Sequence, residues 1–463
     1  MPSLIVPTPS RRRLRPGRVS LLALAMLAAG GIGLPGSAQA QSLLALYDAA
    51  RGYDAAYQSA RAQAESLVFK AEQARALMRP SVNATAGWAE SRSETPYSTT
   101  TVTRLSQQTV AVTAQQSLFN RGNDKIIAQA DKAIEVARSQ LGATEQDLIV
   151  RLAQAYFDVL AASDALGTVQ TSKKAIAEQL ASAKRNFEVG TATITDTREA
   201  QAKFDLATAQ ELAAENDLNV KRLALESVVG RTGLQPRPMA LPIVLPGTGA
   251  ADVEEWVTQA DQRSPALTQL RLAREVARLE TEKARTGKLP TVGVSGTISD
   301  AQSKLSGRTP GGSFGPSSGN GLSANVALQL TMPLYTGESV QNRIKETLAL
   351  EDKAQSDLEA GRRSVAQGTR SAFFGLNSLR AQVTALEAAE SSIKLALEAT
   401  QLGYKVGVRV NLDVLNAQTQ LYQAQRDLAR ARYDVVVNSL KLRQVSGQLQ
   451  PQDVNAVDAL LAR

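Results

Sequence analysis

The sequence contains no cysteine and no histidine in its 463 residues. These absences exclude Ser-His-Asp and Cys-His nucleophiles, zinc fingers, His-ligated metals and disulfides. Chemistry by carboxylates alone, or an oxygen-ligand cation site, stays open. Aromatic residues make up only 4%, thin for a base-stacking surface. Acidic residues are missing from residues 1–40, where Arg11, Arg12, Arg13, Arg15 and Arg18 precede an apolar run from Val19 to Leu34. With Ser37-Ala38-Gln39-Ala40 behind it, this segment reads as a secretory signal peptide cleaved after Ala40. The run is short for a membrane anchor. Without it the formal charge of +8 falls to +3, 47 basic against 44 acidic residues, and the case for a nucleic-acid partner falls too. Beyond Ala40 no apolar span of about 20 residues occurs.

Proline is also missing where it would matter. None occurs in the 139 residues between Pro96 and Pro236, or in the 117 between Pro333 and Pro451. Both tracts are rich in the strong helix formers Ala, Leu, Gln, Glu, Lys and Arg. They predict helices of about 65 residues, roughly 100 Å long, which call for coiled-coil packing. In the last one, Val414, Leu421, Leu428, Val435 and Leu442 recur every seven residues, with Ala417, Ala424, Ala431, Asn438 and Val445 three places on. This is an a/d seam whose small d residues allow a close partner helix. A shift of 217 positions superposes Val189-Gly190 on Val406-Gly407, Asp196 on Asp413, Ala200-Gln201 on Ala417-Gln418 and Gly230 on Gly447. The chain therefore reads as a tandem duplication.

Each half carries a strand pair between its helices. Val82, Ala84, Ala86 and Trp88 alternate with Ser81, Asn83, Thr85 and Gly87, and Val110, Val112 and Ala114 with Thr109, Ala111 and Thr113. In the second half Val292, Val294 and Ile298 alternate with Thr291, Ser295 and Thr297. There Leu322, Ala324, Val326, Leu328, Leu330 and Met332 alternate with Ser323, Asn325, Gln329 and Thr331. Such dyad runs, apolar on one face and small polar on the other, are the membrane-barrel signature. Ser91–Gln107 and Ala301–Asn320 read as exposed loops, and Pro80 and Pro290 mark the change from helix to strand. Four strands cannot close a barrel, and an open edge cannot sit in lipid. Three copies would supply 12 strands.

The block Gly403-Tyr404-Lys405-Val406-Gly407-Val408-Arg409-Val410-Asn411-Leu412-Asp413-Val414-Leu415-Asn416-Ala417, and its internal copy Phe187–Val189-Gly190 through Ile194-Thr195-Asp196, resemble the TolC family of outer-membrane exit ducts. Leu118-Phe119, Leu334-Tyr335 and Ala155–Leu160 resemble it as well. The resemblance covers residues 42–447. It implies a mainly α fold with membrane β: a long α-helical coiled-coil barrel, and four β-strands per chain completing a 12-stranded trimeric outer-membrane barrel. It further implies a Gram-negative outer-membrane location with a long periplasmic portion. The implied partners are outer-membrane lipid, a periplasmic adaptor (membrane fusion) protein and an inner-membrane transporter, ABC or proton-driven. No cofactor, metal or catalytic residue is implied. Asp413 matches a selectivity-ring position at the periplasmic tip, and Asn416 stands where the family often has a second Asp. Tyr404 and Arg409 match latch residues, with Thr195, Asp196 and Gln179 as their matched partners on the first-half coil of the same or a neighbouring copy.

Plainer readings stand beside these. Asp196 and Asp413 both lie at helix starts, where Asp caps or complements the dipole. Tyr404 could be interface packing and Arg409 a solvated charge. The expected organisation is a signal peptide over 1–40, a first repeat over 41–234 with strand pair 80–119, and a Pro-rich linker over 235–249. A second repeat over 250–447 with strand pair 289–333 follows, then a C-terminal tail over 448–463. The leading function is a non-enzymatic exit duct for efflux or type I secretion, gated at its periplasmic end. A pore-free periplasmic coiled-coil scaffold or adaptor is the alternative, and it gives no reason for two dyad-patterned strand pairs. An envelope glycosidase ranks third, because long helices offer little cleft for a carboxylate pair.

Overall fold

The proline-free tracts form the long helices expected of them in the computed structural model, which describes residues 41–95, 101–191, 193–240, 252–309 and 311–462. The expected signal peptide lies outside the described residues. In chain order the first half contains α1 (Leu43–Tyr53), α2 (Ala55–Arg75), β1 (Ser81–Thr95), β2 (Thr101–Phe119), α3 (Arg121–Glu188) and α4 (Ile194–Val229). The second contains α5 (Val253–Arg263), α6 (Pro265–Thr286), β3 (Thr291–Thr309), β4 (Gly312–Thr331), α7 (Ser339–Lys405) and α8 (Asn411–Val445), followed by α9 (Pro451–Asp458). Helices α3 and α7 run for 68 and 67 residues, roughly 100 Å each. Asn120 starts α3 by accepting from the Gly122 and Asn123 N–H groups. The sheet and the Val-Gly turns thus sit at opposite ends of the same helices.

Shorter helices complete the layer by lying along the long ones. Beside the sheet the neighbours run α2, α3, α6, α7, and in the far half α4, α3, α8, α7. Each repeat has an end-on joint between its last long helix and its first short one, with a glycine at φ 73° (Gly230) in the first and φ 71° (Gly447) in the second. The Tyr53 ring and the Arg263 carbonyl occupy the space that a Cβ at these glycines would need. The terminal glycines of the 217-residue repeat therefore serve backbone handedness and close approach together. The α8 heptad packs as the sequence predicts: Leu428, Val435 and Leu442 join Phe373, Leu376 and Val383 of α7, and Val414 and Leu421 join Leu397.

The C-terminal segment differs from expectation. Over its described residues, 448–462, the expected tail is docked: α9 forms, and Leu449, Val454, Val457 and Leu461 enter the largest core cluster with Tyr156 and Phe157 of α3. The Met239–Leu461 and Gln41–Pro236 bridges tie the start of the linker to both ends of the described chain. Linker residues 241–249, with 250 and 251 after them, lie outside the described residues. Val454 and Val457 share the buried face of α9 and Leu461 follows in the bridge to Met239, and their apolar burial drives this docking.

All four strands form one antiparallel sheet in the order β1-β2-β3-β4, so the β2–β3 seam joins the two repeats. The segments expected as loops are largely strand, since pairing continues to Thr95–Thr101 in one hairpin and Thr309–Gly312 in the other. Phe314 covers the bare face of Gly307 at the far end of the second hairpin. The register places Val82 opposite Ala114, Val112 opposite Ile298, and Val294 opposite Leu328, so the apolar positions share one face. Edges β1 and β4 stay unpaired among the described residues. Among the described residues no helix is long and apolar enough to cross a membrane.

Two further helix faces lack a partner among the described residues. On α4, Ala202, Leu206, Ala209, Ala213, Asn216, Val220, Leu223 and Ser227 are all exposed and follow alternating steps of four and three. On α7, Phe374, Ser378, Ala381, Ala385, Ala388, Ser392, Leu395, Ala399 and Leu402 do the same. Both are charge-free a/d seams on the outermost helices of the layer.

Candidate functional site

The far tip consists of two helical hairpins related by the duplication. In the first, α3 ends at Glu188, Gly190 turns the chain at φ 78°, and Thr193 and Asp196 form a capping box at the start of α4. The Thr193 hydroxyl accepts from the Asp196 N–H at 3.2 Å, while the Thr193 N–H donates to the Asp196 carboxylate at 2.9 Å. Asp196 is therefore engaged as a cap.

The second hairpin has the same turn, with Gly407 at φ 81°, but not the same cap. Val410 stands where the first copy has Thr193, and α8 has no side-chain cap. Without a hydroxyl to hold it, the Asp413 carboxylate turns to Arg409, whose Nη1 lies 3.6 Å away. Of the two roles expected at these helix starts, cap or dipole partner, Asp196 takes the cap, and Asp413 lies in the first turn of α8 without capping it. Gly403 makes room for this arrangement, because a Cβ there would meet the Arg409 Cγ at 2.9 Å. The Gly403 carbonyl also accepts from the Val408 and Arg409 N–H groups.

Tyr404 packs its ring beside Leu397, Val414 and Leu421 and accepts a hydrogen bond from the Asn186 side chain at 3.4 Å. Asn186 is the repeat equivalent of Gly403, and sequence reasoning missed it because its partner lies 218 residues away. Thr195 is exposed and Gln179 half-buried. No hydrogen bond within the chain joins Thr195, Asp196 or Gln179 to Tyr404 or Arg409 among the described residues. Asn416 is exposed one turn beyond Asp413.

The contact between the two helix pairs changes character along its length. Near the tip Leu415 of α8 is buried among Ile176, Leu180, Ala183, Ala200 and Ala207 of the first pair. Asn411 and Gln418, one turn on either side of Leu415, are buried on the same face. Higher up the pairs diverge around a cavity of about 580 Å³ lined by α3, α4 and α8. Asp158, Lys221, Arg430 and Asp434 line it; Lys221 meets Asp158 at 3.4 Å and Arg430 meets Asp434 at 3.9 Å. Burial pushes the Asp434 carboxyl up from its ordinary range, Arg430 opposes this, and the Asp158 charge adds to it. In the cavity wall the pairs rejoin, with the Tyr433 ring stacked on Phe157 and its hydroxyl donating to Asp164 at 2.6 Å.

Comparison with known proteins shows the family to which the chain is similar. The model of the outer membrane efflux protein family matches residues 46–231 and 256–448. The chain is 32% identical over 442 residues to the outer membrane protein TolC of Vibrio cholerae, covering 95% of this chain and 98% of that one. It is 31% identical over 346 residues to the alkaline protease secretion protein AprF of Pseudomonas aeruginosa, covering 72% and 68%. Among solved structures, the Campylobacter jejuni CmeC outer membrane channel superposes with a TM-score of 0.73 at 14% identity, covering 91% and 90% of the two chains.

Proposed function

This chain belongs to the outer membrane efflux protein family and is an outer-membrane exit duct for efflux or type I secretion, and from that premise we propose that three copies enclose one duct gated at the α3–α4 and α7–α8 tips. Two copies would give eight strands, whose interior side chains fill, whereas three give 12 and leave a lumen. The single observation that carries the trimer is the matched pair of bare seams. The α4 seam of one copy and the α7 seam of the next are both apolar, uncharged and heptad-spaced, and each needs a partner. The open edges β1 and β4 need one too. Closure turns the face carrying Asn83, Thr113, Thr297 and Gln329 inward, a small polar wall in which Thr113 and Thr297 already hydrogen-bond at 3.2 Å.

At the tip, three copies of Asp413 form the selectivity ring, with Asn416 beside each. A ring of carboxylates concentrates cations. Arg409 moderates it from within the same copy, so the charge of the ring depends on where Arg409 points. Tyr404 and Arg409 act as the latch, with Thr195, Asp196 and Gln179 as acceptors or donors on an adjoining coil. Charge-assisted bonds of this kind are directional, so breaking a few releases the closed state. An adaptor protein and an inner-membrane transporter dock at this end and supply the energy that the duct itself lacks. No step here calls for a catalytic group.

The test combines fractionation with planar bilayers. The protein is expected to leave outer membranes only with detergent and to give discrete conductance steps. Asp413→Ala is expected to reduce cation preference, and Arg409→Ser with Tyr404→Phe to raise conductance. Release in aqueous buffer alone would refute the duct, and unchanged conductance in the double variant would refute the latch.

A further inference from the structure

The apolar face of the sheet ends abruptly. On β4 it runs from Leu322 to Leu330, about the nine to eleven residues that a tilted strand needs to cross hydrocarbon. On β1 its last member is Trp88, 65% exposed, an interfacial residue type at the rim of the belt. The strands continue for several residues beyond it, and alternation carries the same face upward through Arg92 on β1, Arg104 on β2, and Lys304 and Arg308 on β3.

The register crowds these four cations. Arg92 pairs directly with Arg104, a like-charge opposition that is unfavourable by itself. Ser306 pairs with Arg104 on the other side, so Lys304 and Arg308 flank it diagonally, within about 7–8 Å in strand geometry. Two carboxylates answer them: Glu94 reaches Arg92 at 2.5 Å and Glu90 reaches Arg104 at 3.4 Å. Lys304 and Arg308 are exposed and form no ion pair within the chain among the described residues. Asp300 sits two rows below Lys304, at the level of Val110 inside the rim of the belt.

We propose that this cluster binds the phosphate groups of anionic lipid headgroups in the outer leaflet, and so anchors the barrel at its upper rim. The inference rests on the reading that the apolar face meets lipid. Its height selects the ligand, because the cations begin where hydrocarbon gives way to headgroups. Guanidinium forks match phosphate oxygens bidentately, and a phosphate between Arg92 and Arg104 converts their repulsion into two attractions. Lys304 and Arg308 supply the long-range part, since basic groups beside a bilayer draw anionic headgroups toward them.

The full-length protein is reconstituted into phosphatidylcholine nanodiscs doped with either bisphosphorylated or dephosphorylated lipid A, and the lipid A retained per chain is measured. The wild type is expected to enrich the phosphorylated form at least about tenfold, with each neutralised cation lowering retention about fivefold. Arg92→Gln/Arg104→Gln/Lys304→Gln/Arg308→Gln then abolishes the enrichment while leaving conductance unchanged, and Glu90→Gln/Glu94→Gln strengthens it. Equal retention of both lipids, or unchanged enrichment in the fourfold variant, overturns the inference. Displacement by inorganic phosphate at matched phosphate concentration overturns the assignment to lipid. A wild type that conducts without enrichment overturns this inference alone, whereas one that enters no bilayer overturns the duct reading beneath it as well.

Discussion

Near the tip, one leucine joins the two helix pairs. Leu415 is fully buried and is the α8 member of a cluster otherwise drawn from α3 and α4. Its neighbours Val414 and Leu421 face α7 instead, so the α7–α8 coil stays intact when Leu415 is cut back. Leu415→Ala at such a site costs about 2–5 kcal/mol. If opening parts the two pairs, that loss falls on the closed state alone. At 1.4 kcal/mol per tenfold, the open-to-closed ratio rises by about 30-fold to about 4,000-fold. Single-channel recording in planar bilayers reads this as a rise in open probability. Leu428→Ala is the control: that residue is 2% exposed, and it packs in the α7–α8 seam. It is expected to lower thermal stability with little effect on opening. Wild-type open probability in Leu415→Ala, or an equal rise in Leu428→Ala, would refute the assignment of this contact to the gate.

Other outcomes follow from the same structure. Thr193→Val removes the capping box at α4 and is expected to cost about 1 kcal/mol in chemical denaturation. Val410→Thr offers the missing hydroxyl to Asp413, and reversal-potential measurements are expected to show a lower cation preference. Glu280 is held down to about 2: burial works against this, and hydrogen bonds from Gln129, Lys283 and Arg343 outweigh it. Because its folded value lies below its unfolded one, it contributes stability that is present above about pH 4.5 and lost as pH falls toward 2. Circular-dichroism melts should show Glu280→Gln flattening that acid limb by about 1–2 kcal/mol. Leu395→Asp with Leu402→Asp places charge in the bare α7 seam, and size-exclusion chromatography in detergent is expected to show single copies.

The long helices were legible because proline has a veto over helix interiors, and its absence from two tracts is a positive signal. The 217-residue repeat was legible for a similar reason: Gly190, Gly230, Gly407 and Gly447 all adopt positive φ, a demand few other residues meet. The strand extensions were not. Period-two patterning reports a strand only where apolar residues alternate, and above Trp88 the few that remain (Val102, Leu105, Leu305 and Phe314) form no such run, so Ser91–Gln107 resembled loop. At the tip, sequence singled out Tyr404, Arg409 and Asp413 but gave Asp413 and Asp196 the same capping option. One substitution, Val410 for Thr193, separated them, and its effect emerges only when the cap geometry is drawn. Asn186 and Leu415 were invisible because their roles depend on contacts between the repeats, which no local pattern encodes.

The most direct test of the trimeric duct exploits the absence of native cysteine. Leu206 on α4 and Leu395 on α7 lie at similar heights above the tip, on opposite outer edges of one chain. In the Leu206→Cys/Leu395→Cys protein, oxidation in intact outer membranes is expected to link neighbouring copies through α4 and α7 into a covalent series that stops at three. A product that remains a single chain, or a series that extends past three, would contradict the account.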